Sequence, residues 1–202
     1  DIQDVSFAYG ARLGEEDDDT PVLHDISLHI DAGQHVALVG PSGSGKTTIA
    51  RLIARLTDPN IGRVSIGGIS LTAISNEELR RRLIVVPQEP FLFANTICYN
   101  LEFAEPHATT QNMIDAFTEL GLSDWLESLP LGLDTHVGQR GSSLSAGERQ
   151  LVALVRASMV KPDVLVLDEA TSSVDALTEV RISRALERLA LGRTTISIAH
   201  RL

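Results

Sequence analysis

Several residue types are scarce in this chain, and each shortage excludes a class of protein. The 202 residues include one cysteine, Cys98, so no internal disulfide can form and a reducing compartment is expected. No apolar run approaches the ~18 to 20 residues that are needed to cross a bilayer, and no signal peptide is visible. We therefore expect the chain itself to be a soluble domain of the cytosol.

Basic residues are fewer than acidic residues, which argues against the class of nucleic-acid-binding proteins. The chain has 17 Lys and Arg residues and 27 Asp and Glu residues. Its net charge of −10 argues against a nucleic-acid partner. Part of this charge lies in the run Glu15–Asp19, inside the segment Ala11–Thr20. We interpret the run as a solvated loop rather than an acidic recognition patch. The hydrophobic content of 43% is ordinary for one globular domain with a sizeable core.

Apolar patterning predicts an α/β fold with a mostly parallel sheet. Two early segments, Ile2–Tyr9 and Val22–Ile30, alternate apolar and polar residues as half-exposed strands do. Helical spacing follows in Thr47–Leu56, with Ile49, Leu52, Ile53 and Leu56 predicted to share one face. Short apolar runs predict buried parallel strands, at His35–Val39, Leu83–Val86, Val164–Leu167 and Thr195–Ala199. From about residue 91 to residue 160 the apolar spacing is helical, so a helical block is inserted between these strands.

A glycine-rich pattern, G-x-x-x-x-G-K-[ST], stands between the predicted strand at His35–Val39 and the helix after it. Such glycines let backbone N–H groups turn around a phosphate, and the helix N-terminus adds its positive dipole. Lys46 would reach the β- and γ-phosphates, the Thr47 hydroxyl would bind Mg²⁺, and Thr48 would contact the α-phosphate. We interpret the pattern as a phosphate-binding loop (P-loop) rather than a glycine turn with an exposed lysine. The loop consists of Gly40, Pro41, Ser42, Gly43, Ser44, Gly45, Lys46 and Thr47.

Two carboxylate residues, Asp168 and Glu169, follow the apolar strand Val164–Leu167. If this strand lies beside the P-loop strand, Asp168 is brought near Mg²⁺, through a water molecule. Glu169 could then take a proton from an attacking water. The alternative is a buried strand with a charged end, and the P-loop upstream favours the metal site.

One further stretch, Leu144-Ser145-Ala146-Gly147-Glu148-Arg149-Gln150, resembles the LSGGQ signature of ATP-binding cassette (ABC) proteins. Other residues match the motifs of that family in order and spacing, so the resemblance covers essentially the whole chain. Tyr9 matches the aromatic residue that stacks on adenine, and Gln88 matches the Q-loop glutamine. Ser172-Ser173-Val174-Asp175 matches the D-loop, and His200 matches the switch histidine.

The resemblance implies a P-loop NTPase core with an N-terminal antiparallel β subdomain and a helical subdomain at about residues 91–160. Residues 1–202 would form one nucleotide-binding domain that is truncated at its C-terminus. It also implies ATP and Mg²⁺ as ligands, with Thr47, Gln88 and Asp168 at the metal. Catalytic roles fall to four residues: Glu169 as base, His200 on the γ-phosphate, Lys46 and Gln88.

The signature also implies a second nucleotide-binding domain as partner. Ser145 and Gly147 would open a helix, whose hydroxyl and N–H groups form an anion site. In the family this site faces the γ-phosphate that the partner's P-loop holds, so ATP joins two domains. Whether the partner is identical or a different subunit stays open.

Two patterns resemble exporters in particular. Thr135–Gly141 is similar to the exporter X-loop, and Gln88–Phe93 followed by Thr96-Ile97 looks like the exporter pattern. The resemblance therefore implies a domain fused behind a membrane-spanning region, at the cytoplasmic face of the membrane. A soluble ABC ATPase of repair or translation, an importer subunit and a subunit that binds ATP without hydrolysis are the alternatives.

The chain departs from the family pattern at four places. Ala146 and Glu148 replace a glycine and the glutamine of the signature, Gln139 replaces the X-loop glutamate, and Ala11–Thr20 is an acidic insertion. Glu148 would weaken ATP capture if it faced the anion. We expect it to point away, and we expect the site to hydrolyse ATP because the departures spare the catalytic residues.

Overall fold

A computed structural model of the chain describes residues 1–10, 21–168 and 174–198. The described strands form two four-stranded sheets. They are β1 (Ile2–Phe7), β2 (Leu23–Leu28), β3 (His35–Leu38), β4 (Ile61–Ile66), β5 (Ile69–Ser70), β6 (Leu83–Val86), β7 (Val164–Asp168) and β8 (Thr194–Ile198). The first sheet has the order β2-β1-β4-β5 and is antiparallel, and the second has the order β3-β8-β7-β6 and is parallel. The predicted α/β layout is confirmed.

Helices cover the sheets and fill the stretch between β6 and β7. They are α1 (Lys46–Ile53), α2 (Asn76–Arg82), α3 (Ile97–Glu102), α4 (Thr110–Leu120), α5 (Ser123–Ser128), α6 (Ala146–Val160) and α7 (Ala176–Ala190). Among residues 91–160, all of which the structure describes, the only β pairing is an isolated bridge between Thr96 and His136. Within the described ranges, no helix combines the length and apolar character that crossing a membrane requires.

The strand that carries Asp168 is not the direct neighbour of the P-loop strand. Strand β8 lies between β7 and β3, and its Ile198 is in register with both Asp168 and Leu38. Since neighbouring strands are about 4.8 Å apart, β7 and β3 are separated by roughly 10 Å. The C-terminal ends of both strands still lie on one edge of the sheet, so the predicted direct adjacency is wrong but the shared edge is kept.

Strand β3 is parallel, as predicted, but it is not buried. Its four residues alternate between exposed and half-buried, and Val39 beyond it is 58% exposed. The reason is its position, because β3 is an edge strand among the strands that the structure describes. An apolar run of this length does not reveal whether its strand is central or at an edge.

Helix α1 is shorter than the predicted helix Thr47–Leu56. It ends at Ile53 with Ala54 as its C-cap, and Arg55 takes a left-handed conformation with φ of 50°. The chain then leaves the helical path, so Leu56 does not continue the apolar face and is 73% exposed.

The core consists of two apolar clusters on opposite faces of the parallel sheet. Leu165 of β7 is buried in the cluster beneath α3 to α7, and the adjacent Val166 is buried in the cluster shared with the antiparallel sheet and α1. Successive strand residues point to opposite faces, so β7 is covered on both sides. This core holds the C-terminal edge of the sheet, where the candidate site lies.

Candidate functional site

The loop Gly40–Gly45 leaves β3 and leads into the first turn of α1. Gly40 and Gly45 have φ of 155° and 87°, a conformation that side chains rarely adopt. A Cβ at Gly45 would lie 2.5 Å from Leu23 Cδ2, and one at Gly40 would lie 2.8 Å from Ser44 Oγ. Glycine is therefore required twice for the tight path of this loop.

Lys46 is folded into the loop and is only 7% exposed. Its Nζ donates to the carbonyl oxygens of Gly40 at 2.7 Å and Pro41 at 2.9 Å, and lies 3.5 Å from Ser44 Oγ. The lysine charge is thus held inside the curve of the loop. The first backbone N–H groups of α1 have no carbonyl partner within the helix, so the same place offers donors to an anion.

Tyr9 lies beside the first turn of α1, which brings together two predicted ligand-binding residues. Its hydroxyl is 3.1 Å from Thr48 Oγ1, and Arg51 Nη1 donates to it at 3.5 Å. The ring packs edge-on against Phe7 with centroids 4.8 Å apart, and Tyr9 remains 44% exposed. An exposed aromatic face next to the phosphate loop suits stacking with a base.

Gln88 and Asp168 follow or end strands at the edge of the sheet where the P-loop begins. Gln88 is exposed just after β6, and Asp168 is the half-buried last residue of β7. Thr47 is exposed in the first turn of α1. A hydroxyl, an amide and a carboxylate are hard oxygen donors, which fit Mg²⁺ bound together with phosphates.

A protein-only metal cage is not present in the described ranges. No group of three or more His, Cys, Asp or Glu side chains there is placed to hold a metal ion.

The signature segment opens α6. Ser145 is the N-cap, and its hydroxyl accepts from the Glu148 backbone at 3.2 Å. In the described part of the chain, the N–H groups of Ala146 and Gly147 have no hydrogen-bond partner. Ser145 and Ala146 are exposed. The start of α6 therefore has two backbone donors, one on exposed Ala146 and one on buried Gly147, and a hydroxyl at a positive helix end.

Gly147 has a packing role that the signature alone does not reveal. A Cβ there would lie 2.4 Å from Thr178 Cγ2 and 2.6 Å from Val174 Cγ1. Asp175, the N-cap of α7, accepts from the Thr178 backbone at 3.0 Å. Hydrogen bonds from the backbone and side chain of Thr178 hold the pKa of Asp175 below its ordinary value. The predicted signature and D-loop residues are thus in direct contact.

The Glu148 carboxylate is engaged by two donors of its own chain, and that it points away from a bound phosphate stays a prediction. Its Oε2 accepts from the Ser145 backbone at 2.8 Å, and its Oε1 accepts from Trp125 Nε1 at 3.4 Å. The carboxylate therefore turns back over the first turn of α6. The sequence contained a signal for this, since Ser145-x-x-Glu148 is a capping box.

The two exporter-like patterns lie together. Ile97 N donates to Thr135 O at 3.0 Å, and Val137 N donates to Asn95 O at 2.9 Å. Next to this junction four rings form what we call the aromatic surface: Phe91, Phe93, Tyr99 and Phe103. Phe91 and Phe103 are 56% and 59% exposed. No local sequence pattern reveals this surface, because its rings come together only when α3 packs.

Two predicted catalytic residues, Glu169 and His200, lie outside the described residues, as does the acidic run Glu15–Asp19. Their roles remain predictions from the resemblance.

Comparison with known proteins agrees with this geometry. A family model described as "ABC transporter" matches residues 23–172. The chain is 42% identical over its whole length to the ABC multidrug transporter mdr2 of Aspergillus fumigatus and to an ATP-dependent lipid A-core flippase of Syntrophus aciditrophicus. It is 40% identical to a fatty acid ABC transporter ATP-binding/permease protein of Mycobacterium tuberculosis. The chain spans 25%, 32% and 31% of these three relatives.

A solved structure, a bacterial Atm1-family ABC exporter with ATP bound, is also similar. It has 42% sequence identity and a TM-score of 0.86, over 99% of this chain and 34% of that one.

Proposed function

The chain belongs to the ABC transporter family, and we propose that it is the ATP-hydrolysing motor domain of an exporter. The observation that carries this proposal is the phosphate loop, with Lys46 held inside its curve by the carbonyls of Gly40 and Pro41. The ATPase class follows from the family, and the residue roles below are our assignment.

ATP is the substrate, and the chain offers a partner to each part of it. Tyr9 would stack on adenine, Thr48 would contact the α-phosphate, and Lys46 would neutralise the β- and γ-phosphates. Thr47, Gln88 and Asp168 would hold Mg²⁺, which supplies positive charge to the phosphates.

We assign the start of α6 to the nucleotide of a second copy or a related domain. Its unpaired Ala146 and Gly147 N–H groups and the exposed Ser145 hydroxyl suit a phosphate that arrives from outside. ATP would then be enclosed between the P-loop of one domain and the signature of the other. Binding would favour the closed dimer, and hydrolysis would release it.

For hydrolysis, Glu169 would accept the proton of a water molecule whose oxygen attacks the γ-phosphorus. The bond to the bridging oxygen of ADP breaks, so the products are ADP and phosphate. His200 would donate a hydrogen bond to the γ-phosphate and orient the water.

The substitution Glu169→Gln tests this assignment. It keeps the size of the side chain but removes the base, so we expect phosphate release to fall at least a hundredfold, the scale of a lost general base. ATP-bound dimers should accumulate on size exclusion. Glu179→Gln, at an exposed position on α7, is the matched control. Wild-type turnover in the Glu169 variant would refute the base.

We further propose that residues 1–202 form one domain, with its helical part at about 91–160, behind a membrane-spanning region at the cytoplasmic face. Three observations support this: the relatives named as transporters, the X-loop joined to residues 95–97, and the exposed aromatic surface. Reading the sequence upstream of Asp1 tests it. Six predicted spans would support an exporter, and a start codon near Asp1 would favour a separate ATPase subunit.

A further inference from the structure

Glu148 stands where the resemblance places a glutamine, and its carboxylate accepts two different N–H groups. Oε2 accepts from the Ser145 backbone at 2.8 Å, and Oε1 accepts the longer bond from Trp125 Nε1 at 3.4 Å. The same glutamate also donates its own backbone N–H to Ser145 Oγ. One side chain therefore connects the first turn of α6 with α5.

Trp125 is a buried donor, and the Glu148 carboxylate is its acceptor. The indole is 2% exposed and packs against Phe117 with ring centroids 5.8 Å apart. An indole N–H can only donate, and a buried donor without an acceptor is costly. The two N–H groups bond different carboxylate oxygens, and glutamine has an oxygen at only one of these two positions, so in this geometry one N–H group would lose its acceptor. Its NH₂ group would then face the other donor.

We propose that Glu148 and Trp125 form a positioning pair for the signature segment, and this rests on the function proposed above. The pair fixes the start of α6 against the core of the helical block, at the Phe117–Trp125 contact. The unpaired N–H groups of Ala146 and Gly147 are thereby held ready for the partner's γ-phosphate. The glutamate of this chain is thus matched to its tryptophan rather than being a weakened glutamine.

The contact between Glu148 and Trp125 can be tested in the absence of nucleotide. Trp125 is the only tryptophan of the 202 residues, so its fluorescence reports on this one indole. We expect Glu148→Gln to change the emission of Trp125 in intensity or wavelength. The control is Glu127→Gln, which removes the same charge from an exposed position on α5. Equal spectra for wild type, Glu148→Gln and Glu127→Gln would overturn the pairing.

The positioning role is tested by a double-mutant cycle on ATP-induced dimers in the Glu169→Gln background. Glu148→Gln should weaken dimerisation by roughly tenfold, the scale of one buried donor left unpaired. In a Trp125→Phe background, where that donor is gone, the same change should have little effect. ATP binding to the monomer's own P-loop should stay unchanged in every variant.

Additive losses in the cycle, or weaker ATP binding to the monomer, would overturn the positioning role. If the Glu169→Gln chain forms no dimer at all, the proposed function fails and the positioning role with it, while the fluorescence result still decides the contact. Circular dichroism confirms that each variant is folded.

Discussion

The Ser145 hydroxyl accepts from the Glu148 backbone, and in the described part of the chain its own proton makes no hydrogen bond. Asp175 similarly caps α7 through the Thr178 backbone, although the resemblance assigns it to the nucleotide. These side chains therefore support a helix and also serve the proposed site. A loss of activity at either position must be compared with a measurement of folding before it is assigned to catalysis.

Asp175 should make folding depend on pH. Its pKa is lowered by the hydrogen bonds from Thr178, so the ionised form is favoured in the folded state. The resulting stability is fully present above the unfolded pKa of about 3.9 and is lost as pH falls through the lower folded pKa. We expect Asp175→Asn, which keeps a capping oxygen, to reduce the acid-induced loss of unfolding free energy. Urea unfolding between about pH 5 and pH 3 checks this, and identical pH slopes would contradict it.

At the scale of elements, α6 and α7 meet at their N-termini. Gly147 in the first turn of α6 lies against Val174 and Thr178, which flank the start of α7. The contact joins the signature to the D-loop within one chain. A shift of the signature towards a partner's nucleotide would therefore be transmitted to the start of α7.

Gly147→Ala tests how closely the two helices pack. The added methyl would lie well inside van der Waals distance of Thr178 and Val174, so overpacking should cost about 1–3 kcal/mol of unfolding free energy. Gly10→Ala is the control, because a Cβ at Gly10 has no heavy atom within 4 Å. Urea unfolding compares the two variants. Equal unfolding free energies for Gly147→Ala and Gly10→Ala would contradict the close packing of α6 against α7 at Gly147.

At the scale of the molecule, the candidate site and the aromatic surface are built from different parts of the chain. The site collects the C-terminal edge of the parallel sheet and the start of α6, whereas the aromatic surface collects residues 91–103. We infer that ATP and the proposed membrane-spanning partner would use separate surfaces of this chain.

Replacing Phe93 and Phe103 by alanine in the full-length protein tests this separation. Anchor residues of an interface contribute about 2 kcal/mol or more, so substrate-stimulated ATP turnover should fall by roughly tenfold or more. Basal hydrolysis should persist because the P-loop is unchanged. Leu177→Ala, at an apolar residue on α7 that is 64% exposed, is the control. Equal substrate stimulation in the Phe93/Phe103 double variant and in Leu177→Ala would contradict a role of the aromatic surface in the proposed interface.

Features encoded by neighbouring residues could be predicted from the sequence alone. Strand β6 has the predicted bounds Leu83–Val86. The P-loop was located because its glycines, lysine and threonine act through local backbone geometry. The family could be predicted because several local motifs of this kind occur along the chain in the order that the family has.

Tertiary structure alone decided which distant residues meet. The placement of β8 between β3 and β7, the edge position of β3 and the exposure of Leu56 depend on packing rather than on local pattern. The same holds for the contact of Glu148 with Trp125, since a single sequence does not record which buried donor a carboxylate will reach. Local chemistry thus determined what this protein binds, and the packing of distant segments decided how the binding groups are held.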